Sequence, residues 1–520
     1  LHAAAGDVYC VTPGGGTYAA CTQVFTHPQA AVDAAAGGEE IRVAAGTYTG
    51  VRNVPTLNTD TFTATQVLVI TKSLTIRGGY TTADWTTPDF DANPTTLDAQ
   101  GLGRVLVVSG TIDPNVEGLR ITGGDATGLG GDLWGRDGGG GVYVWEAAPT
   151  ISGCVVTNNT ASRAEWASGG GLFVRYSAAT LSGNTVVNNT ASTAGQGSGG
   201  GLNLRGGDNV LSGNTVANNT ASTLLAGHGG GVCLRFGKAT LSGNTVISNT
   251  ASTAQWGYGG GVFVRRATAA LSDNTVRGNV ASTGSGGSGG GLYLEYSDAT
   301  LISNAVVGNA TSTAHAGDGG GLWFRRSDAT LTNNVVADNQ AKTAGSGLWF
   351  EGASSDPTSA QLLHNTIVGS GSTALTTEDS GQGVSVGEYA TLALTNTIIA
   401  GHSGVAVTVT VGSTATLEAT LWDDNGSNTS GAGAISIGTV NVYDDPAFVE
   451  PAAWDYHLTG GSAAMDKGVQ AGVTTDLDGD ERPQGTRYDI GADEYVLPYR
   501  AYLPLVLRSL DALGLRRVGP

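Results

Sequence analysis

Three carboxylates, Asp476, Asp478 and Asp480, alternate with Leu477 and Gly479 in TDLDGDERP. Alternate oxygens on a tight turn can wrap one hard cation, and calcium is the metal that spacing suits. No bidentate Glu closes the far end, so a hydrogen-bonded turn without a metal is the competing reading. A longer pattern offers different chemistry. Tyr143, Phe173, Phe263, Tyr293, Trp323 and Trp349 share one repeat position, interrupted by Asn203 and Cys233. Two residues further on stand Trp145, Arg175, Arg205, Arg235, Arg265, Glu295, Arg325 and Glu351. Facing outward together, the two columns would form a flat face for sugars or for another protein, since rings stack and guanidinium forks bind oxygen acids. The alternative is a ladder that stacks on itself with Arg lying over the rings. Its two interruptions argue against one unbroken sugar track.

Other reactive residues are scattered. Asp298 and Asp328 fall at equivalent positions thirty residues apart, where they would stack in solvent or share a cation, with Lys238 nearby. His315 and His402 read as isolated surface residues. No set of acids or bases gathers into a catalytic group, and no Cys/His spacing suits zinc. Cys10 and Cys21 bracket a Gly-rich turn and are expected to form a disulfide, the alternative being two buried thiols. Cys154 and Cys233 occupy different repeat positions and are expected to stay unpaired.

The elements that would position these residues follow from a period. Gly-Gly-Gly recurs at 139–141, 169–171, 199–201, 229–231, 259–261, 289–291 and 319–321. Each triplet precedes an alternating segment such as GLFVRYS or GVCLRFG, then LSGNTV-type and VVNNTAS-type segments, then a variable Gly-rich loop. Alternation over four to six residues rich in Val, Leu and aromatics predicts strands. Hairpin signals are missing, so each strand must pair in parallel with its counterpart one repeat away. The expected fold is all-β: a right-handed, single-stranded parallel β-helix with three strands in each thirty-residue coil, about 4.8 Å apart. Leu or Val at 142, 172, 202, 232, 262, 292, 322 and 348 should point inward. Asn184, Asn214, Asn244, Asn274, Asn304, Asn334, Asn365 and Asn396 should hold one bend, and Asn159, Asn189, Asn219, Asn249, Asn279, Asn309 and Asn339 another. Stacked amides can bond coil to coil, and Asn tolerates left-handed backbone.

Four regions follow. Residues 1–40 form an N-terminal cap with a short helix from Pro28, and 41–455 form the β-helix, most regular over 138–345. Residues 456–495 are a C-terminal capping segment, and 496–520 an apolar tail. Tyr499, Tyr502, Leu503, Leu505 and Leu507 make that tail a candidate assembly strand, docked on its own rod or on a neighbour's. The net charge of −19 argues against nucleic acid and anionic lipid, and no run is long enough to span a membrane. Gly accounts for 83 of 520 residues, which without the period would suggest disorder. The small-residue opening after Leu1 suggests a secreted chain whose signal peptide has been removed.

The periodic block resembles the right-handed parallel β-helix superfamily, which includes pectate lyases, polygalacturonases and bacterial adhesin passengers. The opening VTPGGGTYAAC…IRVAAGTYTG is similar to the start of exported members. The closing DYHLTGGSAAMDKG…TDLDGDERPQGTRYDIGADEY resembles a "choice-of-anchor" segment. The resemblance implies the fold and export, not an activity. Asn58-Thr59-Asp60, Gly227-His228-Gly229 and Asp423-Asp424 echo polygalacturonase motifs in the wrong order, and the RIK element is absent. The leading expectation is a non-enzymatic extracellular structural protein, a surface or filament subunit that self-associates. An adhesin binding extracellular polysaccharide is the alternative, and a polysaccharide lyase or hydrolase the third.

Overall fold

The computed structural model describes residues 7–55, 63–369 and 380–496. Apolar residues at matching repeat positions stack here into a right-handed parallel β-helix. In one coil the strands are Leu172–Arg175, Thr180–Ser182, Thr185–Val187, Thr190–Ser192 and Gly197–Ser198. Each pairs in parallel with its equivalent thirty residues on: Leu172 meets Leu202, Leu181 meets Leu211 and Val186 meets Val216. Those side chains point inward and build one continuous apolar core along the rod.

Five short strands therefore occupy each regular coil where alternation predicts three. Of the two extra ones, Thr190–Ser192 is the end of the VVNNTAS-type segment, cut off from Thr185–Val187 by the bend at Asn188-Asn189, and Gly197–Ser198 lies in the variable Gly-rich stretch, too short and too poor in apolar residues to register as strand. The glycine triplet is what lets that stretch pass. Gly169 takes the left-handed region at φ +65°, and a Cβ on Gly170 would sit 2.4 Å from the Thr190 carbonyl carbon and 2.5 Å from the Gly200 oxygen.

Two Asn columns hold the corners. From Asn184 to Asn365, and from Asn159 to Asn339, each amide nitrogen donates to the next amide oxygen at 2.9–3.1 Å. The left-handed backbone falls one residue earlier than expected, on Gly183, Gly213, Asp273 and Asn333 in one column and on Asn158, Asn188 and Ser248 in the other. Asn396 lies outside the first column. Thr366 pairs with Ile398, so Thr397 succeeds Asn365 there. Asn396 instead bonds His364 at 2.8 Å and donates to the Val469 carbonyl at 2.6 Å.

The helix Pro28–Ala34 packs at the N-terminal end, capped by His27, whose Nδ1 accepts from the Gln29 N–H at 3.2 Å. Cys10 and Cys21 are joined as a disulfide, and Cys154 and Cys233 are free and buried. The C-terminal segment packs Leu458, Ala464 and Ile490 against Ile398 and Leu421 of the late coils, with Val440 and Val442 beside them. Its hairpin, Phe448–Glu450 with Asp455–Leu458, lies along the rod's side, where Trp454 and Tyr456 donate to Asp338 at 3.0 and 3.3 Å. Tyr456 and Ala492 pack there on Val307, Val335 and Ala337. No helix among the described residues is long and apolar enough to cross a membrane.

Candidate functional site

The ring column expected on an outer face is covered. Tyr143, Phe173, Phe263 and Tyr293 are buried, while Trp323 and Trp349 are half-buried. Phe263 stacks on Tyr293 with centroids 5.4 Å apart, and the series continues through Trp323 to Trp349 at 5.4 and 5.9 Å. The cover is the folded-back Gly-rich stretch: a Cβ on Gly138 would lie 2.4 Å from the Phe173 ring. Alternation shows which side chains leave the central core; it does not show that a loop closes over them. The rings form two further, narrow cores, one around Tyr143 and Phe173 and one around Phe263 and Tyr293, parted at Asn203.

Beside them, the Arg column is largely committed to ion pairs and ring faces. Arg175 lies over Trp145 and Tyr176, and Arg235 over Phe263. Arg205 faces Asp132 at 3.6 Å. Glu295 is held by Arg265 at 2.8 Å and Arg325 at 3.1 Å. These three residues, with His228, Tyr258, Phe263 and Tyr293, line a cavity of about 170 Å³. Burial, helped by Arg235 and Arg265, holds His228 down to about 3, so its ring is neutral and stacks on Tyr258. Two coils beyond Tyr258 in the same ladder of short strands, burial and Glu351 push Asp318 up to about 6. A carboxylate clamped by two guanidiniums beside a neutral imidazole is built to hold its neighbours, not to pass protons.

A ladder exposed at Tyr176, Phe236 and Arg266 and half-buried at Tyr296 and Arg326 lies one residue further along. Six strands of the ring column, from Leu172–Arg175 to Leu322–Arg325, are each followed by a left-handed residue: Tyr176, Gly206, Phe236, Arg266, Tyr296 and Arg326. That conformation turns the chain at the corner and throws the side chain clear of the sheet. Tyr176 is 44% exposed and Phe236 47%. Arg266 and Arg326 lie over opposite neighbours of the stack, 5.6 and 5.3 Å from the Tyr296 ring centre, and Arg326 donates to its hydroxyl. An open trough of about 600 Å³ runs beside them, lined by Asp208, Phe236, Lys238, Arg266, Tyr296 and Asp298. Asp298 and Asp328 stack as equivalent positions on the trough's far side, and Asp328 accepts from the Ser359 N–H at 2.9 Å. The signal for this ladder was Gly206 among bulky residues, marking a corner that needs positive φ.

Right-handed coiling, parallel in-register strands and stacked corner amides agree with a family model described as a right handed beta helix region, which matches residues 115–269 and 222–387. The chain belongs to this β-helix family. Among solved structures, pectate lyase Pel9A is similar over 94% of this chain and 96% of its own, with 12% identity and a TM-score of 0.35. The A-module of Azotobacter vinelandii mannuronan C-5 epimerase AlgE6 is similar over 80% and 94%, at 12% identity and a TM-score of 0.32. DFA-IIIase from Arthrobacter chlorophenolicus A6 is similar over 73% and 83%, also at 12% and 0.32. Likeness at this level carries no chemistry across. No curated protein sequence matches significantly.

The remaining predicted sites of this β-helix fall as follows. Asp476 is buried, and its carboxylate accepts from the N–H groups of Asp478 and Asp480 at 2.9 Å and of Glu494 at 3.1 Å. Asp478 turns away to His457 Nε2 at 2.7 Å, and Asp480 is exposed. The three acids do not converge on one point: Asp476 is taken up by the backbone N–H groups of its own turn and of Glu494, while Asp478 and Asp480 point elsewhere. His402 is buried, not on the surface, and burial holds it down to about 4; His315 is exposed. Asn58, Asp60 and the tail residues Tyr499, Tyr502, Leu503, Leu505 and Leu507 lie outside the described residues.

Proposed function

We propose that this β-helix is a non-catalytic extracellular structural rod that holds a polysaccharide along its axis. The observation carrying this reading is the two-coil spacing of Tyr176, Phe236 and Tyr296 along one corner, the first two exposed and the third half-buried between Arg266 and Arg326. Coils about 4.8 Å apart put successive rings about 9.6 Å apart, close to two sugar residues of an extended chain. Tyr176 and Phe236, each with a guanidinium lying over the ring, supply exposed apolar area for sugar C–H groups, and Arg266, Arg326 and Lys238 supply forked or point contacts to sugar oxygens. The disulfide Cys10–Cys21 supports an oxidising compartment outside the cytosol. Assembly into a filament would run through residues 496–520, of which 497–520 lie outside the described residues.

A glycan array probed with wild-type chain and with the double variant Phe236→Ala/Tyr296→Ala tests this. Binding to extended polysaccharides is expected, and the double variant should lose roughly ten-fold or more in affinity, since each stacked ring is worth about 0.5–1.5 kcal/mol. Trp323→Ala serves as the control, because its ring belongs to the covered column. Wild-type chain that binds no glycan contradicts the reading.

A further inference from the structure

We propose that His457, Asp478 and Asp493 form a site for a zinc-type divalent cation that clamps the C-terminal segment to itself. The three come from separate stretches: the hairpin strand Asp455–Leu458, the turn after Thr475, and the end of the segment. One ligand atom from each lies within 4.8 Å of the other two. Asp493 is 6% exposed, with one oxygen fixed by the Leu458 N–H at 2.6 Å. His457 is half-buried, so the cluster opens to solvent on one side.

The imidazole is oriented as metal-ligating histidines are. Asp455 accepts from Nδ1 at 2.5 Å, which fixes the ring and directs Nε2 at the two carboxylates. Nε2 now lies 2.7 Å from Asp478. Bonds of about 2.0–2.2 Å to a tetrahedral zinc ion need ligand atoms roughly 3.3–3.5 Å apart, a shift that an exposed Asp478 on a turn can make. The ion would take the place of the proton between His457 and Asp478, and water would fill the fourth position. One nitrogen with two carboxylates selects a first-row metal over calcium or magnesium, which take oxygen ligands. Asp455 touches no metal in this arrangement and is a positioning residue. Asp476 is excluded as a ligand because its oxygens already accept three backbone N–H groups. The site is independent of any glycan binding.

The test uses the untagged full chain, stripped with chelator and titrated with Zn²⁺ by calorimetry and with Co²⁺ by visible absorption. One ion per chain is expected, with a rise in Tm on adding Zn²⁺ that Ca²⁺ does not reproduce. Asp478→Asn, on an exposed turn where folding is not at stake, should abolish the Tm rise and the Co²⁺ bands. Asp455→Asn should keep the bands but weaken binding by roughly 10–100-fold. Wild-type chain that gives neither heat nor Co²⁺ absorption overturns the site, and so does undiminished affinity in Asp478→Asn.

Discussion

At the scale of single residues, the stacked Asn amides carry the largest local consequence. Asn244 accepts from both nitrogens of Asn214 and donates to the Leu211 carbonyl and to Asn274. Asn244→Ala strands several buried groups at once, each costing about 1–3 kcal/mol. Native-state hydrogen exchange should show the coils around 214–274 opening first, with distant coils unaffected. Buried histidines set a pH limit. His228 and His364 are held down to about 3, and His402 to about 4, mainly by burial. Folded-state values below the usual 6.5 mean their contribution to stability is present above pH 6.5 and lost as pH falls towards 3. His228→Ser, matching Ser198 and Ser288 in other coils, should therefore raise acid stability in melts between pH 6 and 4 while changing little at pH 8. The Asn columns were legible in the sequence because they repeat without interruption. Burial of His402 was not, because it lies beyond the regular repeat.

Among the elements, the glycine triplets decide whether the Gly-rich stretch can fold back over the ring column. Gly200→Ala places a methyl group 2.4–2.5 Å from the Thr220 and Gly230 backbones, which neither can relieve by turning a side chain. A loss of about 1–3 kcal/mol or more is expected from overpacking, read as a lower urea midpoint. The same fold-back explains what the pattern of strands could and could not reveal. Leu172, Leu181 and Val186 were legible as inward residues because alternation and period agree on them. Phe173 and Tyr293 read as outward for the same reason and are outward from the central core, yet Gly138 and its equivalents roof them over. The corner ladder of Tyr176, Phe236 and Tyr296 sits where alternation stops and φ turns positive, one residue past the last strand position.

For the whole molecule, the period supports a rod and says little about what leans on its side. Trp454 reaches Asp338 across 116 residues, and nothing repetitive announces that contact. The docked segment depends on the fully buried pair Arg482–Glu494 at 2.9 Å, where Arg482 also donates to the Gly491 and Ala492 carbonyls. Arg482→Met leaves Glu494 without its countercharge, at a cost of about 3–5 kcal/mol. Limited proteolysis should then release residues after 444 while the coils stay resistant. Ligand binding along the corner is also a property of the whole rod, because Tyr176 and Tyr296 are four coils, about 19 Å, apart. The most direct measurement is calorimetry with oligosaccharides of increasing defined length, drawn from the polysaccharide that the array identifies. Affinity should climb until the ligand reaches from Tyr176 to Tyr296 and then level off, with Phe236→Ala flattening the climb. Affinity independent of length, or unchanged in Phe236→Ala, would contradict a polysaccharide held along that corner.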